Sequence, residues 1–202
     1  MEKFGKSQPI KRKEDVRFLT GKGRYIDDIS PADALHTFVF RSPVAHANII
    51  NLDVSDAKAA VGVHAVYVAG DLETAGLKLG MRGAVMKNRD GSDGASPERP
   101  ILAKGKLRFV GEPVAMILAD TLSQARDAAE MITLSYDDLP AKMNIDKGGE
   151  MIHDAAPDNV AFDWEMGDEV ATETAFASAA HVVSLNIGDN RIIVNSIEPR
   201  GC

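Results

Sequence analysis

Val114-Ala115-Met116-Ile117-Leu118-Ala119 is a continuous apolar run bounded by Gly111-Glu112-Pro113 and Asp120. A run of six apolar residues between turn signals reads as a strand buried on both faces. Thr121 follows as a helix N-cap, with Gln124 three residues on in capping-box spacing. Leu122, Ala125, Ala128, Ala129 and Ile132 fall on one helical face, and Arg126, Asp127 and Glu130 on the other. Ile132 to Tyr136 then returns as a strand, closed by Asp137-Asp138-Leu139-Pro140. Strand, helix and strand in this order predict a β-α-β crossover, with 114–119 central and parallel to 132–136. The alanines allow the helix to approach the sheet closely.

A second, smaller unit precedes it. Ile49 to Val54 alternates as a half-buried strand, Ser55 caps a short helix through Ala60, Gly62 closes it, and Val63 to Val68 is β-prone. Leu35 to Phe40 reads as a further strand, ended by Ser42-Pro43. The fold class is therefore α/β (α+β), with a mixed sheet. Residues 80–100 hold Gly80, Gly83, Gly91, Gly94, Pro97 and Pro100 among polar residues, and read as a mobile surface loop. The domain organisation expected is an N-terminal arm over 1–16, the α/β domain over 17–140, a linker and helix over 141–180, and two strands within 181–202. The helix covers Val170 to Ala179; the strands are Val182–Ile187 and Arg191–Ser196.

Composition narrows the function. The chain has 202 residues, 45% hydrophobic and 26% charged, enough for one real core. Its 23 basic residues stand against 30 acidic ones, a net charge of −7, which argues against a broad nucleic-acid surface. Cys202 is the single cysteine, so an intramolecular disulfide, a Cys-ligated zinc or an iron–sulfur site within the chain is excluded. No apolar run approaches the length of a membrane span, and the N-terminus has no signal-peptide core, so the expected location is cytoplasmic.

The search for chemistry finds little. His36, His46, His64, His153 and His181 form no i, i+4 pair and predict no metal site. Gly21-Lys22-Gly23 has Ile26 where the third glycine of a dinucleotide fingerprint would stand, and reads as a tight turn. Asp27-Asp28 and Asp137-Asp138 sit beside turn signals and read as turn caps. No catalytic constellation and no cofactor-binding loop is found, so neither catalytic nor metal residues are assigned.

Six phrases carry more. They are "RFLTGKGRYIDD" at Arg17 to Asp28, "RSPVAHANI" at Arg41 to Ile49, "FVGEPVA" at Phe109 to Ala115, "YDDLPA" at Tyr136 to Ala141, "FASAAHVV" at Phe176 to Val183, and "NRIIVNSIEPRGC" at Asn190 to Cys202. In this order and spacing the chain resembles the front quarter of a molybdenum hydroxylase large subunit. That family holds xanthine dehydrogenase, aldehyde oxidase and aerobic carbon-monoxide dehydrogenase. The resemblance implies an N-terminal α/β hammerhead domain, followed by the first strands of a molybdopterin-binding domain. Val44, Asn48 and Lys142 depart from residues common there.

The resemblance further implies an oxidoreductase whose complete form hydroxylates aldehydes or heterocycles, or oxidises carbon monoxide. Molybdenum on a molybdopterin dinucleotide is expected in the complete parent, with iron–sulfur clusters and FAD on other domains or subunits. The expected partners are the remaining molybdopterin-binding domain and the iron–sulfur and flavin subunits. Glu198 alone matches a position near the family's substrate pocket. The chain by itself is expected to be structural and inactive, and to self-associate through its C-terminal strands. The alternative is a stand-alone, non-catalytic interaction module with the same fold.

Overall fold

A computed structural model describes residues 11–190 together with 192, 193, 195, 196 and 198. The chain divides into two units, residues 1–34 with 183–202, and residues 35–182.

In the first unit the helix α1 (Asp15–Leu19) starts where Asp15 accepts a hydrogen bond from the Arg12 backbone N–H, 3.0 Å. The Phe18 ring stacks on Tyr25 with centroids 5.7 Å apart. A Cβ at Gly23 would lie 2.4 Å from the Phe18 ring, so the second glycine of Gly21-Lys22-Gly23 makes room for that stack. A single 3-10 turn, Ile26–Asp28, follows, braced by the Tyr25 N–H on the Asp28 carboxylate. The reading of a turn rather than a phosphate loop fits this geometry.

The second unit carries the β-structure. Strands β1 (His36–Arg41), β2 (Ala47–Asp53), β3 (Val63–Val68), β4 (Gly80–Met81), β5 (Arg99–Pro100), β6 (Lys106–Leu107), β7 (Pro113–Ala119) and β8 (Thr133–Asp138) are interleaved with helices. These are α2 (Ser55–Ala59), α3 (Ala69–Thr74), α4 (Leu122–Glu130) and α5 (Glu169–Ser178). One sheet has the order β1-β7-β3, a second β6-β2-β8, and β4 pairs with β5. All these pairings are antiparallel.

The strand at 114–119 is central, as its composition requires, but the expected parallel partner is wrong. β7 pairs on both sides with antiparallel strands, β1 and β3, while β8 pairs with β2 in the other sheet. α4 therefore connects two sheets rather than two neighbours in a mixed sheet, and α2 does the same between β2 and β3. The alternation of β8 explains this. Leu134 and Tyr136 turn inward while Thr133 and Ser135 stay exposed, a one-sided pattern that suits an antiparallel sheet with a solvent face. The helix-and-strand hammerhead class stands; the parallel pairing within it does not.

The core follows from these pairings. Ala115, Ile117 and Ala119 face α4 and α2, meeting Val66, Ala57, Ala125, Ala128, Ala129 and Ile132. Met116 and Leu118, on the other face of β7, are only half-buried, so the run is covered completely on one side alone. Val114 reaches a second cluster with Ala47, Ala103 and Leu107. Thr121 caps α4 as expected: its hydroxyl accepts from the Gln124 N–H at 3.2 Å. Leu122, placed on the inner face by periodicity, is instead partly exposed at the first turn. At α2 Ser55 is the first helical residue rather than the cap: the N-cap position is Val54, which makes no side-chain cap bond, and the Ser55 N–H and hydroxyl both donate to the Asp53 carboxylate.

Two segments read as loop and linker bind one another. Arg89 N–H donates to Asp163 O at 2.8 Å, Asp163 N–H to Asn88 Oδ1 at 2.8 Å, and Ala95 N–H to Ala161 O at 2.6 Å. Arg89 also pairs with Asp163 and Glu165. Gly94 is required at this junction, because a Cβ there would sit 2.7 Å from Ala161 O and 2.9 Å from Met86 O. The 80–100 segment is thus a hydrogen-bonded element, which its glycine and proline content concealed.

α5 forms where the sequence places a helix, with Asp168 accepting from the Ala171 N–H at 2.8 Å. The expected strand at 182–187 is not formed, and Val183, Leu185 and Ile187 are exposed. Of the expected strand at 191–196, residues 191 and 194 lie outside the described ones, and 192, 193, 195 and 196 carry no strand. A β-prone run needs a neighbouring strand to complete its ladder, and no ladder pairing is found for these residues among the described ones.

Candidate functional site

Three of the phrases that carry the resemblance converge in the second unit. Ser42 N–H donates to Glu112 O and Gly111 N–H to Ser42 O, both at 2.8 Å. The Arg41 guanidinium donates to Gly111 O at 2.9 Å. These bonds lock "RSPVAHANI" to "FVGEPVA". Gly111 holds a φ of +87°, a conformation that disfavours a side chain.

His46 makes the second junction. Its Nδ1–H donates to Pro140 O at 2.8 Å, and its backbone carbonyl accepts from Leu139 N–H at 2.9 Å. That ties "YDDLPA" to the start of β2. The ring is 2% exposed, and its Nε2 is buried with no protein partner. Sequence reasoning treats His46 as one ordinary imidazole among five; its partner Pro140 lies 94 residues away, and no local spacing could reveal it.

Glu112, like Ser42 and His46, is a buried polar residue at this place, 2% exposed. Its carboxylate accepts from the Arg108 backbone N–H at 2.6 Å, closing the 108–112 turn. Burial raises its pKa above the usual carboxylate range, opposed by the Arg108 N–H, the Arg108 charge and the Phe109 N–H. His153 is shifted the other way. Burial lowers its pKa, and the Arg108, Lys106 and His46 charges add to that, against a pull from Asp154. Arg108 Nε is buried without a protein partner as well. The neighbourhood is therefore a braced polar junction of turns, with cations and the Glu112 carboxylate side by side.

The residues singled out for chemistry do not assemble here. His64 Nε2 pairs with Asp120 Oδ1 at 2.6 Å, an exposed link between the ends of β3 and β7. Asp137 and Asp138 are exposed at the end of β8. Glu198 stands exposed at a bend in the other unit. Among the described residues no three His, Cys, Asp or Glu side chains come together as metal ligands, and no helix is long and apolar enough to cross a membrane.

A pterin dinucleotide does not fit what the described residues offer. Its diphosphate needs cations and free N–H groups in a cleft. A polar cleft of roughly 570 Å³ between 88–95 and 155–163 sets Arg89 and Lys147 against Asp90, Asp93, Asp158 and Asp163. Arg89 is already held by Asp163 and Glu165. Carboxylates outnumber cations in that lining, so the field there repels a dianion.

Comparison with known proteins accounts for the phrases. Residues 20–140 match the family model described as aldehyde oxidase and xanthine dehydrogenase, a/b hammerhead domain. The nicotine 6-hydroxylase large subunit of Paenarthrobacter nicotinovorans is 35% identical over 98% of the chain, which covers 24% of that protein. The crystal structure of quinoline 2-oxidoreductase from Pseudomonas putida 86 is 40% identical, with a TM-score of 0.58 over 65% of this chain and 16% of that one. The Cu,Mo-CO dehydrogenase crystal structure is 32% identical, with a TM-score of 0.62 over 85% of this chain and 22% of that one. The chain thus spans about a quarter of the length of the nicotine 6-hydroxylase and carbon monoxide dehydrogenase large subunits that it matches. With the family model covering well over half of the residues, the chain belongs to the aldehyde oxidase and xanthine dehydrogenase family and carries its α/β hammerhead domain.

Proposed function

We propose that the chain serves as the N-terminal scaffold of the large subunit of a molybdenum-dependent oxidoreductase. The observation that supports this reading best is the junction of Ser42, His46 and Glu112. Three of the phrases that carry the resemblance meet there through backbone bonds and buried side chains, which supports a bracing role for them. The relatives include a hydroxylase large subunit, an oxidoreductase and a Cu,Mo-CO dehydrogenase.

In the complete parent, the molybdopterin-binding region that accompanies this domain would hold the metal. Iron–sulfur and flavin partners would carry electrons away. Glu198 would stand near the substrate pocket, supplied by the tail rather than by the hammerhead sheets. The chain's own contribution is geometric. Its sheets and the 41–46, 108–112 and 139–140 junction present a fixed surface to the remaining subunit. Alone, the chain would turn over no substrate.

The test is co-expression of the tagged chain with the remaining region of a family large subunit and its iron–sulfur and flavin subunits. Retention of all of them on the tag, with oxidase activity in the eluate, is the expected result. If the chain elutes alone under these conditions, the scaffold role fails and the independent interaction module takes its place.

A further inference from the structure

The outer edge of β1 is the open side of its sheet. Among the described residues β1 pairs with β7 and with no other strand. A free edge of this kind presents unpaired backbone groups to any strand that can reach it. A cleft of roughly 730 Å³ runs along it, walled by Thr37 to Arg41 on one side and by Arg126, Ala129 and Glu130 of α4 on the other. A sheet edge flanked by a helix is a geometry into which an added strand docks.

The edge is not defended. β1 has no proline, glycine or lysine, and its one irregularity against β7 lies at the end, between Phe40 and Arg41. The opposite edge, β3, has its register broken near its start, between Val63 and Ala65. The cleft's charges are also particular. Arg126 and Glu130 lie four residues apart on α4, both exposed and both lining the cleft. A cation and an anion so placed are each other's complement under a two-fold rotation.

We infer that this edge joins two copies of the chain. β1 pairs antiparallel with the second copy's β1 across a two-fold axis normal to the sheet. The result is a six-stranded sheet, three strands from each copy. Distances agree with this arrangement. Neighbouring strands lie about 4.8 Å apart, so the axis passes about 2.4 Å beyond β1. α4 packs over β1 and β7, which puts the helix about 5 Å from the dyad, since strand spacing sets that offset. The two α4 helices then run antiparallel about 10 Å apart, the separation of packed helices. Arg126 of each copy meets Glu130 of the other. The Arg126 guanidinium lies over the Phe38 ring, 6.0 Å from its centroid, which holds it beside the cleft.

Sedimentation of the full chain under reducing conditions tests this with Arg126→Glu, Glu130→Arg and their equimolar mixture. Both positions are exposed on a helix, and far-UV circular dichroism confirms that each variant is folded. The wild type is expected to dimerise. Each single variant faces like charges across the axis, and its dimer dissociation constant should rise by about tenfold or more. In the mixture, the two substituted side chains face each other with opposite charge across the axis. The two native ones, Arg126 and Glu130, do the same, so the mixture should recover the dimer. A wild type that stays monomeric at about 100 μM, a dimer indifferent to both variants, or a mixture that does not recover would each overturn the inference.

Discussion

Replacing Ile117 by alanine should cost about 4 kcal/mol, and replacing Met116 should cost under half of that. Ile117 is fully buried at the centre of β7, opposite Phe38 and Val66 and beneath α4. Truncation removes three carbons, about 2.4 kcal/mol of transfer free energy at about 0.8 per methylene. A cavity term is added when the surroundings cannot close in. Here they are Ala115, Ala119, Ala125, Ala128 and Ala129, whose short side chains have no reach and whose backbones are fixed by ladder and helix bonds. The cavity therefore persists, and the loss belongs in the upper part of the roughly 2–5 kcal/mol range for such changes. Met116 lies on the opposite, half-buried face of the same strand, so its removal opens no closed cavity. Denaturant melts followed by circular dichroism, with unchanged slope, measure both. Equal losses for the two would refute the one-sided core. A loss under about 1 kcal/mol for Ile117→Ala would refute the placement of β7 itself.

The polar junction should respond to pH in two opposed ways. Glu112 has a folded pKa above its unfolded value near 4.5, so its contribution is favourable in acid and is lost as pH rises from there through the raised folded value; Glu112→Gln should remove that fall in urea midpoints. His153 has a folded pKa below its ordinary 6.5, so stability is full above that pH and declines as pH drops from 6.5 toward the lowered value; His153→Gln should flatten this decline, and an unchanged profile would contradict the burial assigned to the ring. Gly94→Ala forces a Cβ against the Ala161 carbonyl and should release the 86–95 segment, so that trypsin cuts first at Lys87 or Arg89 in the variant but not in the parent chain.

The parts of the fold legible in sequence are those set by local chemistry. The β7 run, the Thr121 cap and the alanine face of α4 are readable because burial, capping and helical spacing all act within a few residues. Strand partnership is not. β8 lies only two residues beyond α4, yet its partner is β2, far back along the chain, and the alternation of Leu134 and Tyr136 is the one signal against a parallel neighbour. The 80–100 segment hides for another reason. Its order comes from 161–165, through backbone bonds and the Arg89–Asp163 pair, and composition does not encode such a clasp. At the candidate site, the motifs are readable as family marks, while their use as braces depends on the His46–Pro140 and Ser42–Glu112 bonds across the chain.

The central claim is that this chain is a scaffold whose described residues lack a place for the molybdenum cofactor. Elemental analysis of the purified 202-residue chain, expressed alone in cells that make the cofactor, tests it most directly. The expected content is far below one molybdenum per chain, rising only when the accompanying large-subunit region is supplied. A near-stoichiometric molybdenum content in the chain alone would contradict the account.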